Sequence, residues 1–124
     1  MSKKILITGA DGQLGAHLCK TFFGNFNIIK TTNKETSNGY HLDVTNGKDV
    51  ETVFKQVSPD IIINCASFNS VDKCEFDKVK ARSIIVDGIS NIIKYSSKDS
   101  FIIQISSDYV FNGEKSTYSE FDIP

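Results

Sequence analysis

The sequence has 124 residues, 40% hydrophobic and 23% charged, with fourteen Lys and Arg against fifteen Asp and Glu for a net charge of -1. That length supports one domain with its own core, and the composition is that of a soluble globular chain. The even charge balance argues against nucleic acid or an anionic membrane as a partner, and no apolar run approaches the roughly 18 residues of a membrane helix.

Met1-Ser2-Lys3-Lys4 leads straight into apolar residues without room for a secretory signal, so a cytoplasmic location is expected. Cys19, Cys65 and Cys74 are odd in number and lack CxxC spacing, which reads as reduced thiols.

A first strand is predicted over 4–8 and a first helix over 13–23. Between them stands Gly9-Ala10-Asp11-Gly12-Gln13-Leu14-Gly15. The first glycine permits a tight turn, the second lets the backbone approach a phosphate, and the third lets the helix pack close to the strand. Free N–H groups and the positive dipole end at the new helix then face an anion. Glycine turns are common, but one that follows a strand and opens a helix points to a dinucleotide pyrophosphate. Gly9, Asp11, Gly12, Gln13, Leu14 and Gly15 are therefore candidate cofactor-binding residues.

Gly24-Asn25 stops the helix, and a second strand is predicted over 27–31. An acid at its end would accept a hydrogen bond from an adenosine 2′-hydroxyl and favour NAD. Lys30-Thr31-Thr32-Asn33-Lys34 holds no acid before Glu35, and Lys30 or Lys34 is available to meet a 2′-phosphate. NADP(H) is thus favoured over NAD(H), with Asn33 and Lys34 in the site. The competing reading leaves both lysines solvated.

A polar loop over 32–39 leads to a short third strand over 40–42. Asp43 and Val44, at its end, suit an adenine: a carboxylate for the amino group and an apolar side chain for the ring. Alternatively, Asp43 helps to cap the next helix. That helix is predicted over 47–56, with Thr45 as N-cap and Val50, Val53, Phe54 and Val57 on one face. Ser58-Pro59 ends it.

The strand over 60–65 is apolar through its centre, as suits burial on both faces. The small residues Cys65, Ala66 and Ser67 at its end leave room for a ribose and nicotinamide, or simply pack closely. A long helix over 72–97, interrupted only by Gly88, precedes a last strand over 101–106 and a loop over 107–124. Ser106 and Ser107 set hydroxyls at the same sheet edge, where Ser107 can orient a substrate carbonyl; a plain turn is the other reading. Asp72 and Glu75 read as complements to a helix N-terminus. His17 and His41 lack ligand spacing with the cysteines, so no metal site is expected.

With right-handed crossovers, these elements build an α/β Rossmann-type doubly wound parallel sheet in the order 3-2-1-4-5. Its ligand belongs at the carboxyl ends of the strands, near the switch between strands 1 and 4.

Six segments carry a resemblance: Thr8-Gly9-Ala10-Asp11-Gly12-Gln13-Leu14-Gly15, Leu42-Asp43-Val44-Thr45, Pro59-Asp60-Ile61-Ile62-Ile63-Asn64-Cys65-Ala66, Val71-Asp72-Lys73-Cys74-Glu75, Ser107-Asp108-Tyr109-Val110-Phe111-Asn112-Gly113 and Tyr118-Ser119-Glu120. Together they make the chain resemble the extended short-chain dehydrogenase/reductase superfamily, and within it the dTDP-4-dehydrorhamnose reductases. The resemblance covers essentially the whole chain but only the family's N-terminal, cofactor-binding part. It implies NAD(P)H-dependent reduction of the 4-keto group of a nucleotide-linked deoxysugar, in carbohydrate biosynthesis. In that family a tyrosine donates the proton, a lysine lowers the tyrosine pKa and holds the ribose, and a Ser or Thr orients the carbonyl. Ser107 matches this last, catalytic position.

Two departures stand out. Tyr40, Tyr95, Tyr109 and Tyr118 are followed, at the Tyr-x-x-x-Lys offset, by Val44, Asp99, Gly113 and Asp122, so no such pair is present. Where the family usually has an asparagine three residues before the glycine matching Gly88, this chain has Ile85. That substitution impairs the site, or else Ile85 is a core residue of a repacked helix. The expectation is an incomplete NAD(P)-binding domain over 1–124, cut after the fifth strand, that binds a dinucleotide but does not turn over a nucleotide sugar alone. It is expected to self-associate through the exposed fifth strand. The alternative is a non-catalytic NADP(H)-binding module with a regulatory or interaction role.

Overall fold

In the computed structural model, which describes residues 2–35 and 38–124, five parallel strands form one sheet in the order β3-β2-β1-β4-β5. They are β1 (Lys4–Thr8), β2 (Asn27–Thr32), β3 (Tyr40–His41), β4 (Ile61–Asn64) and β5 (Phe101–Gln104). Met1 and the Thr36-Ser37 part of the predicted loop lie outside the described residues. The strand order and parallel pairing are those expected from the sequence.

Alternation along β1 explains why both faces of the sheet are covered. Ile5 and Ile7 join Ile63 and Cys19 in one buried cluster, under α1 (Gln13–Thr21). Leu6 joins Ile29, Ile62, Val50, Val53, Phe54 and Ile92 in the other, under α2 (Gly47–Val57) and α5 (Gly88–Tyr95). Each such side chain contributes about 1.5–3 kcal/mol by leaving water.

Several boundaries differ from the sequence reading. Helix α1 stops at Thr21, short of residue 23, because Gly24 takes φ +86 and turns the chain while the Phe22 ring meets Phe26 edge-on. The N-cap of α2 is Asn46, whose side chain accepts from the Lys48 amide, and not Thr45. Thr45 is instead held by Asp43 Oδ1, which accepts from its amide and its hydroxyl. At the other end Ser58 takes the left-handed conformation, with φ 47, since Pro59 disfavours another helical residue before it. Strands β4 and β5 are shorter than the predicted 60–65 and 101–106.

The largest correction concerns the predicted helix over 72–97. It is broken into α3 (Val71–Phe76), α4 (Lys78–Arg82), a π-helical turn (Ser83–Asp87) and α5. Asp77 leaves helical geometry at φ -125, ψ 75, and its side chain accepts from the Lys80 amide to start α4. Asp72 lies in the first turn of α3, whereas Glu75 pairs with Lys78 at 2.8 Å. All three cysteines are free. No helix among the described residues is long and apolar enough to cross a membrane.

Candidate functional site

The glycine turn after β1 is compressed backbone against backbone. Gly9 sits at φ +60, and a Cβ there would lie 3.1 Å from the Cys65 carbonyl oxygen. A Cβ on Gly15 would come within 2.3 Å of the Gly9 carbonyl oxygen, so α1 reaches the turn only because residue 15 has no side chain. Gly12 is the N-cap of α1; no side chain caps the first turn and no acid stands in it. Its first amide donors are thus left without a side-chain cap, an arrangement that suits an anion.

A buried polar ladder fixes the strand ends around this turn. Thr8 Oγ1 donates to Asn64 Oδ1 at 2.5 Å and accepts from the amides of Cys65 and Ala66 at 3.0 and 3.1 Å. Asn64 Nδ2 donates onward to Gln104 Oε1 at 2.7 Å, joining β1, β4 and β5. Every buried side-chain polar atom among the described residues finds a partner.

Opposite the ladder, the Ala10 amide donates to the Thr31 carbonyl at 3.0 Å, tying the turn to β2. Thr32 Oγ1 donates to Asp11 Oδ1 at 2.9 Å, and Lys34 Nζ donates to Asp11 Oδ2 at 2.6 Å. The Lys34 and Thr32 hydrogen bonds hold the Asp11 carboxyl below its ordinary pKa. Burial pushes the Cys65 thiol up.

Between these walls lies an open cleft of about 400 Å³ at the carboxyl ends of β1, β2 and β4. The structure brings together on it Gly9, Asp11, Gly12, Gln13, Leu14, Gly15, Asn33, Lys34, Asp43, Val44, Cys65, Ala66 and Ser67. Leu42, Asn69 and Ile84 also line it, and sequence reasoning did not place them there. Ile84 reaches the cleft from the π turn, which a 3.6-residue period does not reveal. Asn69 carried no pattern beyond its position after β4. Ser106 and Ser107 are exposed beyond β5 and do not line the cleft, nor does Lys30. Ile85 is 46% exposed, which overturns its reading as a core residue. No group of three or more His, Cys, Asp or Glu among the described residues is arranged to hold a metal.

Val44 is held from behind by α5. Asn91 Nδ2 donates to the Val44 carbonyl at 2.9 Å, and a Cβ on Gly88 would lie 2.9 Å from Val44 Cγ2.

The sequence profile of the RmlD substrate binding domain matches residues 3–124. The chain belongs to that family. A dTDP-4-dehydrorhamnose reductase of Aggregatibacter actinomycetemcomitans is 36% identical over 97% of this chain and 40% of its own length. Methionine adenosyltransferase 2 subunit beta of Bos taurus is 30% identical over 99% of this chain and 38% of its own. The crystal structure of dTDP-4-dehydrorhamnose reductase from Bacillus anthracis in complex with NADP superposes with a TM-score of 0.90, at 34% identity. It matches 100% of this RmlD-family chain, which covers 43% of that protein. The chain thus spans about 40% of the length of the curated relatives it matches, and corresponds to their N-terminal part.

Proposed function

We propose that this chain is the coenzyme-binding part of an NAD(P)H-dependent reductase acting on the 4-keto group of a nucleotide-linked deoxysugar. The observation that carries the reading is the approach of Gly15 to Gly9, which leaves the uncapped amino end of α1 open to a pyrophosphate. Asp43 and Val44 then supply the adenine end of the cleft, and Cys65, Ala66 and Ser67 the nicotinamide end. The bound coenzyme would supply hydride; the residues here bind and orient it. The NADP in the Bacillus anthracis relative and the Lys34 ammonium on the cleft support NADP(H) as the favoured form.

Ser107 is the residue proposed to orient the substrate carbonyl. With no Tyr-x-x-x-Lys pair in its sequence, the 124-residue chain alone is expected to bind coenzyme without reducing a keto sugar. Calorimetric titration with NADPH and NADH tests the first half, and an absorbance assay with a dTDP-4-keto-6-deoxysugar tests the second. Measurable turnover by the isolated chain would overturn the second half. Absence of binding would overturn the first.

A second reading is favoured by the similarity to methionine adenosyltransferase 2 subunit beta. In it the same cleft serves a non-catalytic module that binds NADP(H) and contacts a partner protein. A Tyr-x-x-x-Lys pair and activity in any longer protein found to carry this sequence would support the reductase; their lack there would support the module.

A further inference from the structure

The end of β2 has no acid in the sequence, yet the fold delivers one there from the glycine turn. Asp11 stands two residues after Gly9, and its two carboxylate oxygens accept from Thr32 Oγ1 and Lys34 Nζ, at 2.9 and 2.6 Å. Thr32 Oγ1 in turn accepts from the Lys34 amide at 3.2 Å, closing a ring of hydrogen bonds around one turn. Asp11, Asn33 and Lys34 all line the cleft, and the side chains of Lys34 and Asp11 keep 75% and 37% of their surface in solvent.

We infer that Asp11 and Lys34 act as one discriminating pair for the adenosine ribose, with Asp11 restraining the preference for a 2′-phosphate. The inference rests on the dinucleotide reading and deepens it. In that fold the end of the second strand meets the ribose 2′ position, where a carboxylate accepts from a hydroxyl and a cation receives a phosphate. Here both charges stand in contact. The ammonium draws a 2′-phosphate of nearly two negative charges, and the carboxylate beside it repels the same group. A 2′-hydroxyl meets the opposite balance, because the carboxylate keeps lone pairs to accept its proton. The pair therefore admits both coenzymes and narrows the gap between them.

The competing explanation is that the ion pair only ties the glycine turn to the turn after β2. In that case both coenzymes feel its loss alike. Calorimetric titration of the unsubstituted chain, D11N and K34Q with NADPH and NADH separates the two. Asp11→Asn is expected to raise the affinity ratio of NADPH to NADH about tenfold, and Lys34→Gln to lower it about tenfold. Thermal melts confirm that each variant remains folded, and the Lys34 variant stands as an independent arm. A ratio unchanged in both variants, with both coenzymes still bound by the unsubstituted chain, overturns the inference alone. Binding of neither coenzyme to the unsubstituted chain overturns the dinucleotide reading and the inference with it.

Discussion

Thr8 and Asn64 are register partners on β1 and β4, and their side chains meet at 2.5 Å where the two strands end. One hydroxyl thus serves a side chain on the neighbouring strand and two amides of the segment that lines the cleft. Thr8→Val keeps the shape and removes all three bonds in a buried place. A loss of about 2–4 kcal/mol in urea denaturation is expected, because the Cys65 amide loses this acceptor and the Ala66 amide keeps only its 3.3 Å bond to Asn64 Oδ1. Thr8→Ser should restore most of it. If valine costs no more than a surface substitution, the ladder does not hold the strand ends.

Gly15 and Gly24 separate close approach from backbone freedom. At Gly15 the added Cβ meets backbone 2.3 Å away, which cannot yield without moving Gly9. Gly15→Ala is expected to cost about 2–3 kcal/mol and to abolish coenzyme binding. Gly24 has φ +86 and nothing within 4 Å, so Gly24→Ala should cost about 1 kcal/mol from strain alone. Its coenzyme affinity should be that of the unsubstituted chain. Paired melts and titrations read both outcomes.

Asp11 gives a pH dependence whose sign follows from its lowered pKa. The folded state binds the proton less readily than the unfolded chain, so the contribution of Asp11 is present above its ordinary value of 3.8. It is lost as pH falls through the lower folded-state value. The stability difference between the unsubstituted chain and Asp11→Asn should therefore be constant near neutrality and shrink once the pH falls below 3.8 and on through the lower folded-state value. Partial exposure keeps that difference small. A difference that grows on acidification would contradict the Lys34 pairing.

Phe101 and Ile103 pair in register with Ile61 and Ile63. They project on the face that α1 covers over β1, yet they are 65% and 38% exposed. Ile102, on the opposite face, packs against the core below α5. This edge strand and its open apolar face are expected to drive self-association at high concentration. Light scattering should show mass rising with concentration, and Phe101→Lys should suppress it. A concentration-independent monomer would refute the expectation.

The sheet was legible because parallel strands buried on both faces leave continuous apolar runs, as in Ile5-Leu6-Ile7 and Ile61-Ile62-Ile63. Most of the cleft was legible for the same reason: its residues sit next to strand ends in the chain. Two kinds of feature were hidden. Contacts between separate loops, such as Asp11 with Lys34, have no local pattern, so the acid near the end of β2 could not be found by searching β2. The break at Asp77 was equally obscure, since an aspartate in a polar stretch serves as a cap or as a helix residue and only tertiary packing decides. Thr45 lost its expected capping role to Asn46 and is held instead by Asp43, through contacts of two residues' separation that lie below the reach of periodicity.

The π turn at Ser83–Asp87 leaves one residue more in that winding than an α-helix would hold. Deleting one residue there would convert it to regular helix while rotating the helical residues just before it, in α4, by about 100° relative to α5. Gly88 and Asn91 would keep their grip on Val44, but Ile84 would swing away from the cleft. The turn therefore works as an angular spacer. Descendants of this chain can re-aim one wall of the site by a single codon's loss, leaving sheet, glycine turn and helix docking untouched.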